Sequence, residues 1–376
     1  LTVTLPAERP PRFILFVVTG LTTKTGTYEV VSNISKLLLE KHEVSLLTDT
    51  EYDLDIAFTK IIKLKIKNFK FPQYRFMPDL KKLLNTKEFD QYDLIHIFEY
   101  PLYITDYLTI KKNSINTPII ISLHGTLHQY NKFPFNLFKK FHNSIMIKFH
   151  NRINLFLVSS LSEKLGVMNN GIPENKIEIL PPAMNVHAVE IKNSLKRKIV
   201  YIGRLSKTKN IELLIHAFSK IKTQNIDLVI AGPDFGMLKK LKQLTIDHGI
   251  ENRVNFRGWI SEEEKINLLS ETTIFVHPSL EDVFLLSLLE AASIGIPCVS
   301  FDVQSNSEIL EDGKTGIIVK EINSDALAEK LDLLLNNKKL YEEISKNSKL
   351  LLPQKFNWEK TTQILESIYI SVIESK

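Results

Sequence analysis

Short apolar runs recur along the chain, and each is followed by a longer segment whose apolar positions repeat with a helical period. Runs of this length, rich in Ile, Val, Leu and Phe with no polar alternation, are the signature of strands buried on both faces of a parallel sheet. In the first half they predict strands at Phe13–Val18, Glu43–Leu47, Leu94–Phe98, Ile119–Leu123, Leu155–Val158 and Ile177–Leu180. The second half restarts the alternation with Lys198–Ile202, Asp227–Ala231, Val254–Phe256, Ile274–His277, Cys298–Phe301 and Gly316–Val319. Helical segments such as Ile211–Lys222 and Asp325–Asn336 lie between them. The charged, weakly apolar stretch Asn185–Arg197 is the natural linker. The expectation is an α/β protein of two doubly wound, Rossmann-like domains, 12–187 and 188–355, preceded by a loose end at 1–11.

The length of 376 residues agrees with two cores rather than one. With 44% hydrophobic and 24% charged residues the composition is that of a folded protein. The single cysteine, Cys298, suits a reducing compartment, and no apolar run approaches membrane-spanning length. These features point to a cytoplasmic protein. The net charge of +5 is uneven: residues 1–185 hold 23 Lys+Arg against 17 Asp+Glu, and the remainder 25 against 26. An anionic partner is therefore expected on the first half. Lys60–Lys82 is strongly basic, and Phe133–Arg152 interleaves Lys139, Lys140, Lys148 and Arg152 with apolar residues. That pattern fits a peripheral, anionic membrane surface, and equally a core-packed helix with a solvated basic face.

In open α/β sheets ligands bind beyond the carboxyl ends of the strands, so residues just after each strand carry the functional information. After Ile202 come Gly203, Arg204 and, after a further interval, Lys209: a turn-permitting glycine, a fork of donors for phosphate oxygens, and a second cation. After His277 come Pro278-Ser279, Asp282 and then Glu290 near the start of a helix. Carboxylates accept hydrogen bonds from sugar or ribose hydroxyls, and a helix N-terminus attracts phosphate. No G-x-G-x-x-G, Walker or zinc-ligand spacing is present, so dinucleotide oxidoreductases, P-loop enzymes and structural zinc are not indicated.

Taken together these features resemble the retaining glycosyltransferases of family four, which have the GT-B fold. Gly203-Arg204 through Lys209 is similar to the family's G-R-x-x-x-x-K loop, and Leu228–Gly232 to its next strand and turn. Val254-Asn255-Phe256-Arg257-Gly258 resembles V-x-F-x-G, and Pro278 through Ala291 resembles P-S-x-x-E-G-F-G-L-x-x-L-E-A. Asp312–Gly316 and Phe356-Asn357-Trp358-Glu359 match the closing elements. His42-Glu43-Val44, Tyr92–His96 and His124-Gly125 occupy the places of first-domain features. The chain departs from the pattern at Asp282, Val283 and Leu285, which replace Glu and two glycines, and at Asn210, where glycine is usual.

The resemblance implies a GT-B arrangement of two Rossmann-like domains facing across a cleft, with a C-terminal helix over 356–376 returning to the first domain. It implies transfer from a nucleotide-diphosphate sugar such as a UDP-sugar, with retention and without a metal or cofactor. The acceptor would be a glycan, a lipid-linked sugar or a protein; no nucleic-acid partner is implied. Arg204 and Lys209 would neutralise the diphosphate as the sugar leaves, with Gly203, Gly258, Phe284, Leu285 and Leu286 also bounding the donor. Glu290 would bind the ribose hydroxyls and Asp282 those of the transferred sugar. His124 would face the reacting sugar, and Gly26 would let the first domain's loop approach donor or acceptor. Two other readings stay open: a nucleotide-sugar epimerase of GT-B shape, and a non-catalytic binding subunit, which Val283 and Leu285 favour.

Overall fold

The computed structural model of the chain describes residues 12–20, 26–49, 58–66, 76–98, 103–124, 142, 146–185, 189, 197–280, 285–303 and 306–375. The chain forms two compact units, Leu1–Pro182 with Trp358–Lys376, and Ala183–Asn357. The changeover at Pro182 falls just before the stretch expected as a linker.

The first unit is built on a parallel sheet of β1 (Phe13–Val18), β2 (Glu43–Thr48), β3 (Lys60–Lys63), β4 (Leu94–Phe98), β5 (Ile119–Ser122), β6 (Leu155–Val158) and β7 (Ile177–Ile179). Their order is β3-β2-β1-β4-β5-β6-β7. The strand order reverses between β1 and β4, the point where such sheets bind ligands. Five of the six residues of β1 are buried, which explains why so apolar a run reads plainly in the sequence. The edge strand β3, Lys-Ile-Ile-Lys, was not expected. Its burial pattern is almost wholly exposed, and lysines at both ends protect an open edge from further pairing. Lys60 is also committed to Glu88 at 2.6 Å, so the basic stretch is not a run of uncommitted charge.

The second unit repeats the plan with β8 (Arg197–Ile202), β9 (Ile226–Ala231), β10 (Val254–Gly258), β11 (Ile274–His277), β12 (Cys298–Phe301) and β13 (Ile317–Val319), in the order β10-β9-β8-β11-β12-β13. Successive side chains serve opposite faces. Ile199 and Tyr201 join one buried cluster with the helix Ile211–Lys220, and Val200 joins the other with the helix Leu286–Ser293. Each half is thus one parallel sheet with interleaved helices, as the strand pattern predicts.

In the first unit the helix Trp358–Glu374 packs beside the helix Gly26–Leu38. Its register is set by polar groups inside an apolar face. His96 on β4 is fully buried; one ring nitrogen meets the Tyr369 hydroxyl of that helix and the other meets Ser122 Oγ at 2.7 Å. The ring also stacks on Phe98 and meets the edge of Phe16. At the helix start Thr361 donates to the Pro181 carbonyl, 3.0 Å, and Glu366 pairs with Lys41 and His42. His96 is therefore a packed, satisfied core histidine.

Of the basic segment 133–152, only residue 142 and residues 146–152 are described. Met146 and His150 turn into the core, Lys148 is exposed, and Arg152 bonds the Ile110 carbonyl while lying over Phe149. Lys139 and Lys140 lie outside the described residues. No described helix is long and apolar enough to cross a membrane.

Burial holds the imidazole of His96 well below its ordinary pKa and that of His150 at about 4. Below pH 6.5 the unfolded chain then binds protons that the native state refuses, so stability falls as pH drops through the unfolded value. The urea transition should weaken between pH 6.5 and 5 by on the order of 2 kcal/mol per buried histidine. Tyr369→Phe should cost a further ~1–3 kcal/mol at neutral pH, because it strands a buried ring nitrogen without changing volume.

Candidate functional site

The second sheet ends in three glycines. β8 runs out at Ile202, and the Gly203 N–H donates to the Ala231 carbonyl at 2.9 Å, while the Gly232 N–H donates to the Gly258 carbonyl at 2.6 Å. At Gly232, with φ of 138°, a Cβ would stand 1.9 Å from the Gly203 carbonyl oxygen. At Gly203 it would stand 2.6 Å from the hydroxyl of buried Tyr201, which itself donates to the Arg204 carbonyl at 3.0 Å. Gly258 differs, since nothing lies within 4 Å of its missing Cβ and only its φ of 65° requires the residue. Bare backbone is thus lined up across the carboxyl ends of β8, β9 and β10.

Beyond the sheet the two loops stay zipped together. Leu205 donates to the Pro233 carbonyl and Phe235 donates back to the Leu205 carbonyl, at 2.9 and 3.0 Å. The Asp234 carboxylate caps the next helix by accepting from the backbone N–H of Leu238, Met237 and Gly236, which hold its pKa below the usual carboxylate value. This fixes Phe235, 59% exposed, beneath the Arg204 guanidinium, which sits 5.5 Å from the ring centre. Arg204 is exposed, whereas Lys209, at the end of the turn Lys207–Lys209, is only 8% exposed. One cation reaches outward and the other is built in. Asn210 follows with φ of 51°, a left-handed conformation that asparagine adopts more readily than other non-glycine residues. A glycine at this position would adopt the same conformation without strain.

The loop after β11 hangs from this one: the Leu280 N–H and the Ser279 hydroxyl both donate to the Thr208 carbonyl, each at 3.3 Å. Asp282, Phe284, Glu281 and Val283 lie outside the described residues. Leu285 opens the helix Leu286–Ser293 and offers no side-chain cap to its first N–H groups. Its own side chain is 3% exposed and belongs to the core with Leu288 and Leu289. Leu286 is half-buried. Further along this helix Glu290 accepts from Lys265 Nζ at 2.9 Å.

The structure therefore gathers Gly203, Arg204, Lys209, Gly258, Leu285, Leu286 and Glu290 within one unit, at the carboxyl edge of one sheet. His124 and Gly26 belong to the first unit. Gly26 opens the helix Gly26–Leu38. His124 ends the run after β5 in a left-handed conformation, exposed, with its ring parallel to Phe98 at 6.3 Å. Desolvation lowers its pKa to about 4; because the ring stays open to solvent, only part of it is screened from water, and at pH 7 the imidazole is neutral in either case. Sequence reasoning missed Phe235, Lys265 and the buried Asp49, whose carboxylate accepts from the Gly20 N–H at 2.6 Å. The signal for Lys265 was available: a lysine on the apolar stripe of a helix.

Two family models tile this architecture, Glycosyltransferase Family 4 over residues 25–188 and Glycosyl transferases group 1 over residues 185–351. The chain belongs to the group 1 glycosyltransferases. An uncharacterised glycosyltransferase of Methanocaldococcus jannaschii is 26% identical over 363 residues, covering 90% of this chain and 92% of its own. A UDP-Gal:alpha-D-GlcNAc-diphosphoundecaprenol alpha-1,3-galactosyltransferase of Escherichia coli is 26% identical over 57% of this chain and 56% of its own. Among solved structures, HepE of Anabaena in complex with UDP and glucose superposes with a TM-score of 0.77 at 18% identity, over 96% of this chain and 100% of that one. The glycosyltransferase thus shares the GT-B fold of that structure.

The glycines of this site make unequal demands. Gly232→Ala should cost more than ~3 kcal/mol, or abolish the second unit's fold, because backbone must move. Gly258→Ala should cost only the left-handed strain, about 1–2 kcal/mol, and Asn210→Gly should be neutral to slightly stabilising. Thermal and urea unfolding of the three variants, compared with the parent protein, reads out this ranking.

Proposed function

We propose that this glycosyltransferase moves a hexose from a nucleoside-diphosphate sugar to an acceptor with retention of anomeric configuration and without a metal ion. The observation that carries the reading is the row of bare backbone at Gly203, Gly232 and Gly258 beside an outward-reaching Arg204 and a built-in Lys209. A diphosphate approaching that edge would meet two cations and the first N–H groups of the helix Leu286–Ser293, which Leu285 does not cap. Those charges stabilise the leaving diphosphate as the glycosidic bond breaks, which is the task a metal performs in other folds. A neutral His124 would serve as a hydrogen-bonding group toward the sugar rather than a charge, and Gly26 would let the first unit's loop approach it. Glu290 would hold the ribose and Asp282 the sugar hydroxyls, with Phe284, Leu285 and Leu286 lining the path between them through their backbone.

A UDP-sugar donor is supported by the UDP and glucose bound in the HepE structure. A lipid-linked acceptor at an anionic membrane surface is supported by the Escherichia coli relative, a galactosyltransferase named for its GlcNAc-diphosphoundecaprenol, and by the basic first half of this chain. The test of the whole reading is a panel of UDP-, GDP- and ADP-sugars assayed for release of nucleoside diphosphate, with the anomer of the released sugar followed by proton NMR. The initial sugar should carry the donor's configuration, and a chelator should leave the rate unchanged. If no donor is hydrolysed and none raises the melting temperature, the protein is a binding subunit instead.

Within this reading Arg204→Ala and Lys209→Ala should each weaken nucleoside-diphosphate binding about tenfold to a hundredfold, the worth of one charge-assisted hydrogen bond. Asp282→Asn should leave that affinity unchanged and lower turnover, because its partner is the reacting sugar. Glu281→Gln, one residue out of register, should be near neutral; calorimetry and turnover on the four variants check the assignments. Co-sedimentation with anionic liposomes at low salt, lost in a Lys139/Lys140/Lys148→Glu variant, is the expected outcome for the membrane surface.

A further inference from the structure

Lys265 occupies a position that helical patterning assigns to an apolar side chain. The helix Glu262–Ser270 turns Leu268 and Leu269 into the core, and residue 265 stands on the same stripe one turn earlier. A lysine there, with a side chain only 17% exposed, must have its charge met. Two carboxylates meet it. Glu262 of its own helix lies at 2.7 Å and is 63% exposed, so water competes for that pair and its contribution is small. Glu290 comes from the neighbouring helix Leu286–Ser293, lies at 2.9 Å and is 13% exposed. Burial opposes the ammonium charge, yet Glu290 and Glu262 together raise the Lys265 pKa above its ordinary value, so it stays protonated at any physiological pH.

The pairing uses only half of the acid. Lys265 Nζ donates to Oε2 of Glu290, and Oε1 is left without a protein partner among the described residues. The same helix begins beside the loops of the donor site, and Leu285 at its start gives it no side-chain cap. A carboxylate with one oxygen pinned by a buried ammonium and the other unused is fixed in rotation and poised to accept from a hydroxyl.

We propose that Lys265 is a positioning residue for the nucleotide: it grips Oε2 of Glu290 so that Oε1 is presented to a ribose hydroxyl of the donor. The inference rests on the reading of Glu290 as the ribose contact and adds the group that makes the contact geometrically defined. Without Lys265 the carboxylate is free to turn.

Calorimetric titration tests it. UDP, GDP and ADP are titrated first, and the tightest of them is then compared with its 2′-deoxy and 3′-deoxy counterparts, the weaker binder of the two serving as the deoxynucleotide, on the parent protein and on Lys265→Met, Lys265→Gln and Glu262→Gln. The parent protein should prefer the ribonucleotide by about tenfold, one hydrogen bond to a charged group. Lys265→Met should lose that factor for the ribonucleotide alone, bringing the ratio close to one while the deoxynucleotide binds as before. Lys265→Gln should fall between, and Glu262→Gln should match the parent. A Lys265→Met protein that keeps the full preference, or binds the ribonucleotide more tightly, overturns the inference, the second result meaning that the pair withholds the acid from the ligand. Should that variant fail to show a cooperative thermal transition, Lys265→Gln decides by the same ratio. A parent protein with no ribose preference overturns the ribose reading of Glu290 and this inference together, whereas a preference that survives loss of Lys265 overturns the inference alone.

Discussion

A Cβ on residue 232 would stand 1.9 Å from the carbonyl oxygen of residue 203, and much of the second unit follows from that closeness. It draws the ends of β8 and β9 together after the ladder stops, lets the loops continue pairing through Leu205, Pro233 and Phe235, and puts Phe235 under Arg204. Thr208, carried by the same loop, then holds the segment after β11 through its carbonyl. Side chains arrive at their stations because backbone without side chains came first. The region is therefore stiff where it meets the sheet, which is what a group acting by fixed charge requires, since charges that must reorganise lose much of their effect.

The legible part of the fold was the part buried on both faces. β1, β4, β6, β11 and β12 appear over the same residues in sequence and structure, because nearly every residue in them is apolar and no alternation confuses the pattern. The strand that escaped was β3, whose exposed Lys-Ile-Ile-Lys takes its conformation from β2 rather than from its own composition. Edges are stabilised by neighbours and by what they repel, and neither is written in a local window.

The candidate site divides along a similar line. Loop residues that follow strands were legible, since topology alone puts Gly203, Arg204 and Lys209 at the carboxyl end of β8. What could not be read was the direction of side chains: Leu285, which stands where the family has glycine, packs into the core with Leu288 and Leu289. Asn210 looked like a departure and instead keeps a positive φ. Lys265 carried a signal, a lysine on the stripe of Leu268 and Leu269, but the acidic residues around it make the helix read as surface, and Glu290 joins it only once the neighbouring helix is in place.

The chain leaves its first unit at Pro182 and returns to it at Trp358, so the second unit, Ala183–Asn357, is contiguous whereas the first is not. During synthesis the order of completion is therefore the reverse of the order of translation. Domains ordinarily fold from the N-terminus as they emerge, but here the ring of His96 must wait for Tyr369 to leave the ribosome, through the whole time that the second unit is made and folded. Until then the first unit lacks the apolar cover that Trp358–Glu374 supplies beside the helix Gly26–Leu38, and the nascent protein has a surface for chaperones to guard.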